Sequence, residues 1–375
     1  RRVGAAGIVG LGGAAFPSAV KLNLSRRSSV EVLVLNGSEC EPYLTCDDRL
    51  MRERAAEIVD GIRLMNLAVG ARDVLVGIED NKPEALAAMT GAAAGTGIRI
   101  VAVPALYPMG SEKQMILALT GREVPAGGRA ADIGVLVHNV ATAYAVRQAI
   151  VLGHPLVSRV VTVSGGAVQV PRNVEALVGT PVQTLIDYCG GFSQAPARVV
   201  LGGPMMGSQI SNTSVPVIKG TSGVLALTRA EIGQPEPAPC IRCSSCVRAC
   251  PVGLLPLEMA SRIRAGDLAA AVEFGLKDCI ACGSCAYICP AHIPLVHFFN
   301  YAKGELAARE RTRMKQDATR QLAEERNLRM ERIAREREEA AARRKAEKAA
   351  RDAAKKAAAS PPAQAASTPA ETETA

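Results

Sequence analysis

The chain of 375 residues carries 44 Lys+Arg against 36 Asp+Glu, a formal net charge of +8, with 48% hydrophobic residues, 3% aromatic and no tryptophan. That length and apolar content supply cores for roughly two to four domains, and the scarcity of aromatics excludes the stacking platforms of single-strand nucleic-acid binders. The basicity belongs mainly to the tail: from Tyr301 onward 18 Lys/Arg face 13 Asp/Glu, a net of +5 that leaves +3 for the other 300 residues. No run approaches ~18 consecutive apolar residues, so no transmembrane helix is expected and membrane association would come through partners. A start at Arg1 rather than methionine reads as a fragment or a processed product.

In chain order, residues 1–155 alternate strand-like and helix-like segments. Residues 30–35 form an apolar strand candidate that ends in a polar loop, 36–45; a charged amphipathic helix is expected over 47–68, with Leu50, Ile58, Ile62 and Met65 near one face. Strands are expected at 74–78, 98–103 and 133–137, and helices at 83–89, after the capping-box pair Ser111 and Gln114, and at 141–152. Strands alternating with helices predict a mainly parallel α/β sheet. Beyond His154-Pro155 the pattern changes to strands at 160–164, 199–201 and 223–227. Among them Thr180, Pro181 and Gln183 read as N-cap, N1 proline and capping-box glutamine of a short helix that ends at Gly190-Gly191. This is a small α+β module with one helix against a few strands. Residues 234–239 form a proline-rich linker, and 257–264 and 268–274 look helical. Residues 303–359, mostly Ala, Glu, Arg and Lys, predict an exposed, fraying helix with Glu331/Arg335 and Glu347/Arg351 as i,i+4 pairs. Leu322, Met330 and Ile333 are too sparse for a heptad seam. The final Pro/Ser/Thr/Ala-rich residues are expected to be disordered.

Eight of the 11 cysteines lie in two matching runs, Cys240, Cys243, Cys246, Cys250 before Pro251 and Cys279, Cys282, Cys285, Cys289 before Pro290. Each reads C-x-x-C-x-x-C-x-x-x-C-P, the spacing of two-cluster ferredoxins, in which the fourth cysteine of each run ligates the other [4Fe–4S] cube. The expected ligand sets are therefore Cys240, Cys243, Cys246, Cys289 and Cys279, Cys282, Cys285, Cys250. The proline stops helix continuation and turns the fourth thiolate away. Zinc sites pair cysteines two and two and fit this spacing poorly; thiols clustered for a metal imply a reducing compartment rather than disulfides. Cys40, Cys46 and Cys189 stand outside the runs and read as structural, as do the four histidines, His138 among them.

Near the start, Gly7, Gly10, Gly12 and Gly13 crowd into seven residues, with Lys21 soon after. Glycines let a backbone approach a phosphate with its N–H groups turned inward, although this spacing is neither a Rossmann nor a P-loop pattern. The segments NGSECEPYLTCDDR, YPMGSEKQ, VHNVATAYAV, GGPMMG, KGTSG and CIRCSSCVRACPVGLLP come next, in that order. Together they resemble the NADH-binding flavoprotein subunit of respiratory complex I and, more closely, the RnfC/RsxC family of the Rnf (Rsx) ion-translocating electron transport complexes, over about residues 1–300. The resemblance implies a multidomain α/β plus α+β chain. Residues 1–155 would be a complex I flavoprotein-like FMN/NADH domain and 156–232 an SLBB (soluble-ligand-binding β-grasp) module. Residues 233–302 would be a helix-rich domain of ferredoxin type with two [4Fe–4S] clusters, and 303–375 the charged helical to disordered tail. It further implies that Gly10, Gly12, Gly13 and Lys21 face FMN phosphate, that Asn36, Asn139 and Thr142 hydrogen-bond the flavin, and that Glu39 and Glu41 lie near the nicotinamide nucleotide. Ala15 replaces a loop glycine. Cys40 and Tyr43-Leu44 stand where the complex I relative has Gly after its first acidic pair and Gly-Thr after the proline.

The expected function rests on this resemblance. It is a peripheral subunit at the cytoplasmic face of the bacterial inner membrane, passing electrons between NADH, through FMN, and two [4Fe–4S] clusters. No side chain is assigned a catalytic role; the cofactors carry the chemistry. Its partners would be integral membrane and iron–sulfur subunits of one complex that moves ions, NAD(H), and a ferredoxin, with no nucleic acid. A soluble flavin/iron–sulfur reductase of the corrinoid-reductase kind and a non-enzymatic iron–sulfur relay scaffold are the alternatives.

Overall fold

Residues 32–37, VLVLNG, are buried on both faces, as a strand in the middle of a parallel sheet must be. The computed structural model describes residues 1–23, 29–233 and 236–358. Helices α1 (Arg2–Ala5) and α2 (Ser18–Asn23) bracket the glycine loop ahead of strand β1 (Val32–Gly37). Next come α3 (Cys46–Glu53), α4 (Ala55–Val69), β2 (Asp73–Glu79), α5 (Pro83–Ala93), β3 (Arg99–Val103), α6 (Glu112–Thr120), β4 (Val135–Asn139) and α7 (Val140–Val151). The four strands are parallel, in the order β3-β2-β1-β4. One face is covered by α4, α5 and α7 and the other by α6, each over its own apolar cluster. Helix α4 meets α7 closely: a Cβ on Gly61 would stand 1.9 Å from the Ala143 carbonyl oxygen, so only glycine fits that crossing.

Strand register brings two polar residues together at one end of the sheet. Asn36 lies opposite Asn139 at the carboxyl ends of β1 and β4. The chain leaves β1 toward β2 on one side and returns as β4 on the other, so this is the switch point where open α/β sheets bind ligands.

Several sequence expectations shift. The single helix expected over 47–68 is two, α3 and α4, broken at Arg54 (φ −129°). No glycine or proline marks the break, because it serves to aim α3's first turn at the loop after β1. The strand expected at 133–137 starts two residues later, after a 3₁₀ turn at Ala130–Ile133. The Ser111 capping box is half made. Its hydroxyl accepts from the Gln114 amide (3.4 Å), but the Gln114 side chain donates to the Pro251 carbonyl (2.9 Å).

The second sheet contains β5 (Ser158–Ser164), β6 (Arg172–Leu177), β7 (Arg198–Leu201), β8 (Ser208–Ile210) and β9 (Gly223–Leu227) in the order β6-β5-β9-β7-β8. Only the β5–β9 pair is parallel. Helix α8 (Val182–Tyr188) packs on it through Val182, Leu185 and Ile186. The edge strands β6 and β8 were not expected. Helix α8 starts at Val182 without a side-chain cap, and Gln183 bonds Asp187 and Thr213 instead of closing a capping box.

Short helices α9 (Arg229–Ile232), α10 (Ser245–Arg248), α11 (Pro256–Arg264), α12 (Leu268–Glu273) and α13 (Ser284–Tyr287) lead to α14 (Leu295–Ala358). Residues 1–303 form one compact unit; the second, from Gly304, is the exposed charged helix. Near the two pairs expected, the ion pairs are Arg332–Glu336 and Arg343–Glu347 instead, since Glu347 turns back to Arg343. The expected disorder beyond residue 358, and linker residues 234 and 235, lie outside the described residues.

Candidate functional site

The glycine loop sits over the β1/β4 switch point and is held at three points. The Gly10 amide donates to the Phe16 carbonyl (2.8 Å), Ser18 closes back on Ile8 (3.1 Å), and the buried Leu11 amide donates to Thr142 Oγ1 (2.9 Å). Between these anchors the amides of Gly12, Gly13, Ala14 and Ala15 have no protein partner among the described residues. A Cβ on Gly13 (φ +105°) would meet nothing within 4 Å. A row of exposed, uncommitted N–H groups in a left-handed turn is a cradle for an anion, and it suits the phosphate of FMN. Ala15, where the resemblance leads one to expect glycine, adopts the glycine-like φ of +49°, and Tyr43, where it leads one to expect glycine after the proline, has φ +68°. The loop shape is thus kept at the cost of backbone strain.

The expected flavin-facing side chains converge here, but their polar atoms work within the protein. Asn36 donates to the Gly110 carbonyl (2.8 Å) and accepts from the Ser38 amide (3.0 Å). Asn139 accepts from the Ala141 amide (2.8 Å), capping α7, and donates to Asp47 (2.6 Å). Thr142 is fully buried, and Lys21 is paired with Glu112 (2.6 Å). The second module adds two cations that the sequence did not single out. Buried Arg159 on β5 donates to the carbonyls of Lys219 (2.5 Å) and Leu11 (3.4 Å), and Lys219 Nζ donates to that of Gly7 (2.6 Å). The KGTSG motif marked Lys219's segment; Arg159 had no local signal.

Glu39 caps α3. Its carboxylate accepts from the Cys46 thiol (3.1 Å) and from the amides of Asp47 (3.0 Å) and Asp48 (3.2 Å), with Lys82 3.9 Å away. Burial first, then the neighbouring Asp47 charge, pushes Glu39 up to about 7. Asp47 is itself raised by burial. Glu41 accepts from the amides of Met205 (2.9 Å) and Met206 (2.8 Å), which fastens the GGPMMG loop to the acidic loop. A Cβ on Gly203 would fall 2.1 Å from Glu41 Oε2. Cys40 accepts from the Gly110 amide (3.3 Å), and burial pushes its thiol up to about 11. Cys46 and Cys189 are buried, and burial takes His138 down to about 3, with Lys21's charge adding to the fall.

The cysteine runs interlock. Cys240, Cys243, Cys246 and Cys289 line one cavity; Cys279, Cys282, Cys285 and Cys250 line another. Burial raises Cys246, and the Cys289 thiol adds to that rise; burial, then Cys279, Cys282 and Cys250, take Cys285 up to about 12. Four thiols converging in each cavity fit the ligand count of a [4Fe–4S] cube. The runs repeat with an offset of 39 residues (240 to 279), and so does their conformation. Arg242 and Ala281 have φ +56° and +55°, and each amide donates at 3.4 Å to the first thiol of its run. The hydroxyls of Ser245 and Ser284 lie 3.4 and 3.5 Å from the second thiols. Helix α11 corresponds to the first turns of α14, so Arg264 at the first cavity matches Lys303, whose ammonium donates to the Cys279 carbonyl.

The surroundings differ. Cys240 and Cys243 are exposed, whereas Cys282 and Cys285 are buried. The second ligand set lies against the first domain: Tyr107's hydroxyl donates to the Cys282 carbonyl, Gln114 to that of Pro251 beside Cys250, and the Gly127 amide to Asp278 beside Cys279 (2.8 Å), which also pairs with Lys113 (3.5 Å).

Comparison with known proteins agrees with this geometry. The family model of the Nuo51 FMN-binding domain matches residues 3–148, that of the SLBB domain 160–209, and that of the 4Fe-4S dicluster domain 239–293. Their order defines a class: chains joining an FMN-binding α/β domain, through an SLBB module, to a 4Fe-4S dicluster domain. The C subunit of the ion-translocating oxidoreductase complex of Rhodobacter capsulatus is 57% identical over 311 residues, 82% of this chain and 60% of that protein. The C subunit of the proton-translocating ferredoxin:NAD(+) oxidoreductase complex of Clostridium ljungdahlii is 47% identical over 313 residues, 83% of this chain and 68% of that protein. The chain belongs to the RnfC/RsxC family, the C subunits of the Rnf (Rsx) ion-translocating oxidoreductase complexes. It spans about 60% of the length of the Rhodobacter relative. The crystal structure of an NAD+-reducing [NiFe]-hydrogenase in the H2-reduced state shares the fold, with a TM-score of 0.55, 19% identity, and 83% and 65% of the two chains covered. Among the described residues no helix is long and apolar enough to cross a membrane.

Proposed function

We propose that this chain carries electrons between NAD(H) and two iron–sulfur clusters as a peripheral subunit on the cytoplasmic face of the inner membrane. Its partners are integral membrane and iron–sulfur subunits that couple the transfer to ion movement, with a ferredoxin at the far end of the route. The relative named as part of a proton-translocating ferredoxin:NAD(+) oxidoreductase complex supports that choice of partners. Bound FMN supplies the exchange between a two-electron hydride carrier and one-electron centres, and the [4Fe–4S] clusters supply the one-electron steps.

The chain's own groups do the holding. The amides of Gly12 to Ala15 take the phosphate, while Thr142, Arg159 and Lys219 fix the loop that presents them. Asn36 and Asn139, committed to Gly110 and Asp47, set the floor of the site at the strand ends. Glu41 ties the 203–207 loop to the acidic loop. The set Cys250, Cys279, Cys282 and Cys285 is the cluster next to the nucleotide domain; the set Cys240, Cys243, Cys246 and Cys289, with two exposed cysteines, is the exit toward a partner. One observation carries the reading: the turn after β3 touches the end of β1 and the acidic loop through Gly110, and a cluster cysteine through Tyr107. The test is anaerobic addition of NADH to protein reconstituted with iron, sulfide and FMN. Bleaching of flavin and clusters together is expected; FMN binding without cluster bleaching would refute the reading.

A further inference from the structure

The 39-residue repeat of the cluster loops is broken at one hydrogen bond. In the first loop the carbonyl of the middle cysteine, Cys243, is served from within: Arg248 donates to it (3.2 Å) and to the adjacent Ser245 hydroxyl (3.0 Å). In the second loop Arg248's counterpart is Tyr287, which is 80% exposed. The equivalent carbonyl, Cys282, accepts from Tyr107 of the first domain instead. Tyr107 stands on the turn between β3 and α6, whose Gly110 accepts from Asn36 and donates to Cys40. Tyr107 thus reaches the second cysteine run directly, while its turn reaches Cys40 of the acidic loop through Gly110.

We propose that Tyr107 is a positioning residue that ties the second cluster to the nucleotide domain and tunes that cluster's reduction potential without touching the first. This rests on the electron-transfer reading above. A hydroxyl donated to the peptide carbonyl of a ligand cysteine withdraws electron density from the peptide beside the cluster, and so favours the reduced, more negative state. In a half-buried setting such a bond is worth more than at the surface. Gln114 on Pro251, beside Cys250, and Gly127 on Asp278, beside Cys279, hold two other points of the same ligand set, which leaves the Tyr107 hydroxyl the task of registering Cys282. Arg248 performs the matching task for the other loop, and the pair forms an internal control.

The experiment is a redox titration of the reconstituted full chain, monitored by electron paramagnetic resonance with both cluster signals resolved. Tyr107→Phe is expected to make one cluster harder to reduce, by about threefold in its one-electron equilibrium. The other signal and the flavin stoichiometry stay unchanged. Arg248→Ala is expected to move the other signal only. Should Tyr107→Phe load poorly, 3-fluorotyrosine placed at position 107, a stronger donor of nearly the same shape, is expected to make the same single cluster easier to reduce. Equal movement of both signals, or movement of neither in a fully loaded protein, overturns the proposal. A wild-type chain that binds neither flavin nor two cubane clusters overturns the functional reading instead.

Discussion

Glu39 offers a quantitative test of how the acidic loop is built. Its carboxyl ionises near 4.5 in an unfolded chain and near 7 in the folded one, chiefly because burial disfavours the charge. Between those values the folded state holds a proton that the unfolded state has lost, so stability falls as pH rises from about 4.5 through about 7. At about 1.4 kcal/mol per pH unit, the interval from 4.5 to about 7 amounts to about 3 kcal/mol. Glu39→Gln removes that penalty but keeps one oxygen where the carboxylate uses two, on the amides of Asp47 and Asp48. The lost bond costs about 1 kcal/mol. The variant is therefore expected to be more stable than the native chain by about 2 kcal/mol at about pH 8 and less stable, by about 1 kcal/mol or less, at about pH 5. Hydrogen exchange of the Leu33 and Leu35 amides in β1, measured on flavin-free protein, reads this opening equilibrium. A difference of one sign and size at both pH values would refute the argument, since it would mean that the Glu39 proton does not distinguish the folded from the unfolded chain.

Four further substitutions probe the site. Thr142→Val leaves the buried Leu11 amide without an acceptor. It is expected to cost about 1–3 kcal/mol of stability and to weaken FMN binding in a fluorescence titration. Ala15→Gly relieves a φ of +49° and is expected to add about 1 kcal/mol, seen as a higher Tm with FMN binding retained. Cys250→Ser is expected to abolish the signal of the Cys279/Cys282/Cys285 cluster and Cys289→Ser that of the other, as read by electron paramagnetic resonance. If each variant loses the cluster of its own run instead, the interlocked assignment is wrong.

What the sequence reveals here depends on how local the determining interaction is. The cysteine spacing encodes its own loop geometry, and the alternation of apolar runs with amphipathic stretches suffices to place β1 to β4 and their helices. The break at Arg54 is invisible because the apolar period continues across it. Strands β6 and β8 escape because edge strands bury few residues: β8 has no fully buried residue and β6 one. Long-range contacts are the larger gap. Glu41 meets amides 164 and 165 positions away, and Tyr107 meets a carbonyl 175 positions away. GGPMMG, KGTSG and YPMGSEKQ stood out as motifs, yet their tasks became visible only when the fold brought each to its partner.

Near-identical cysteine runs need not make like clusters, because the loop fixes only the geometry of the ligands while the surroundings fix the energy of adding an electron. Reduction adds negative charge, and burial opposes this as it opposes ionisation of any buried acid. The set around buried Cys282 and Cys285 carries that penalty. Lys303 on Cys279 and Tyr107 on Cys282 offset part of it. The set around exposed Cys240 and Cys243 has solvent and Arg248 at hand and carries less. On the proposed electron-transfer reading, the centre next to the nucleotide domain would then hold an electron less tightly than the one at the surface, although both are built from copies of one run.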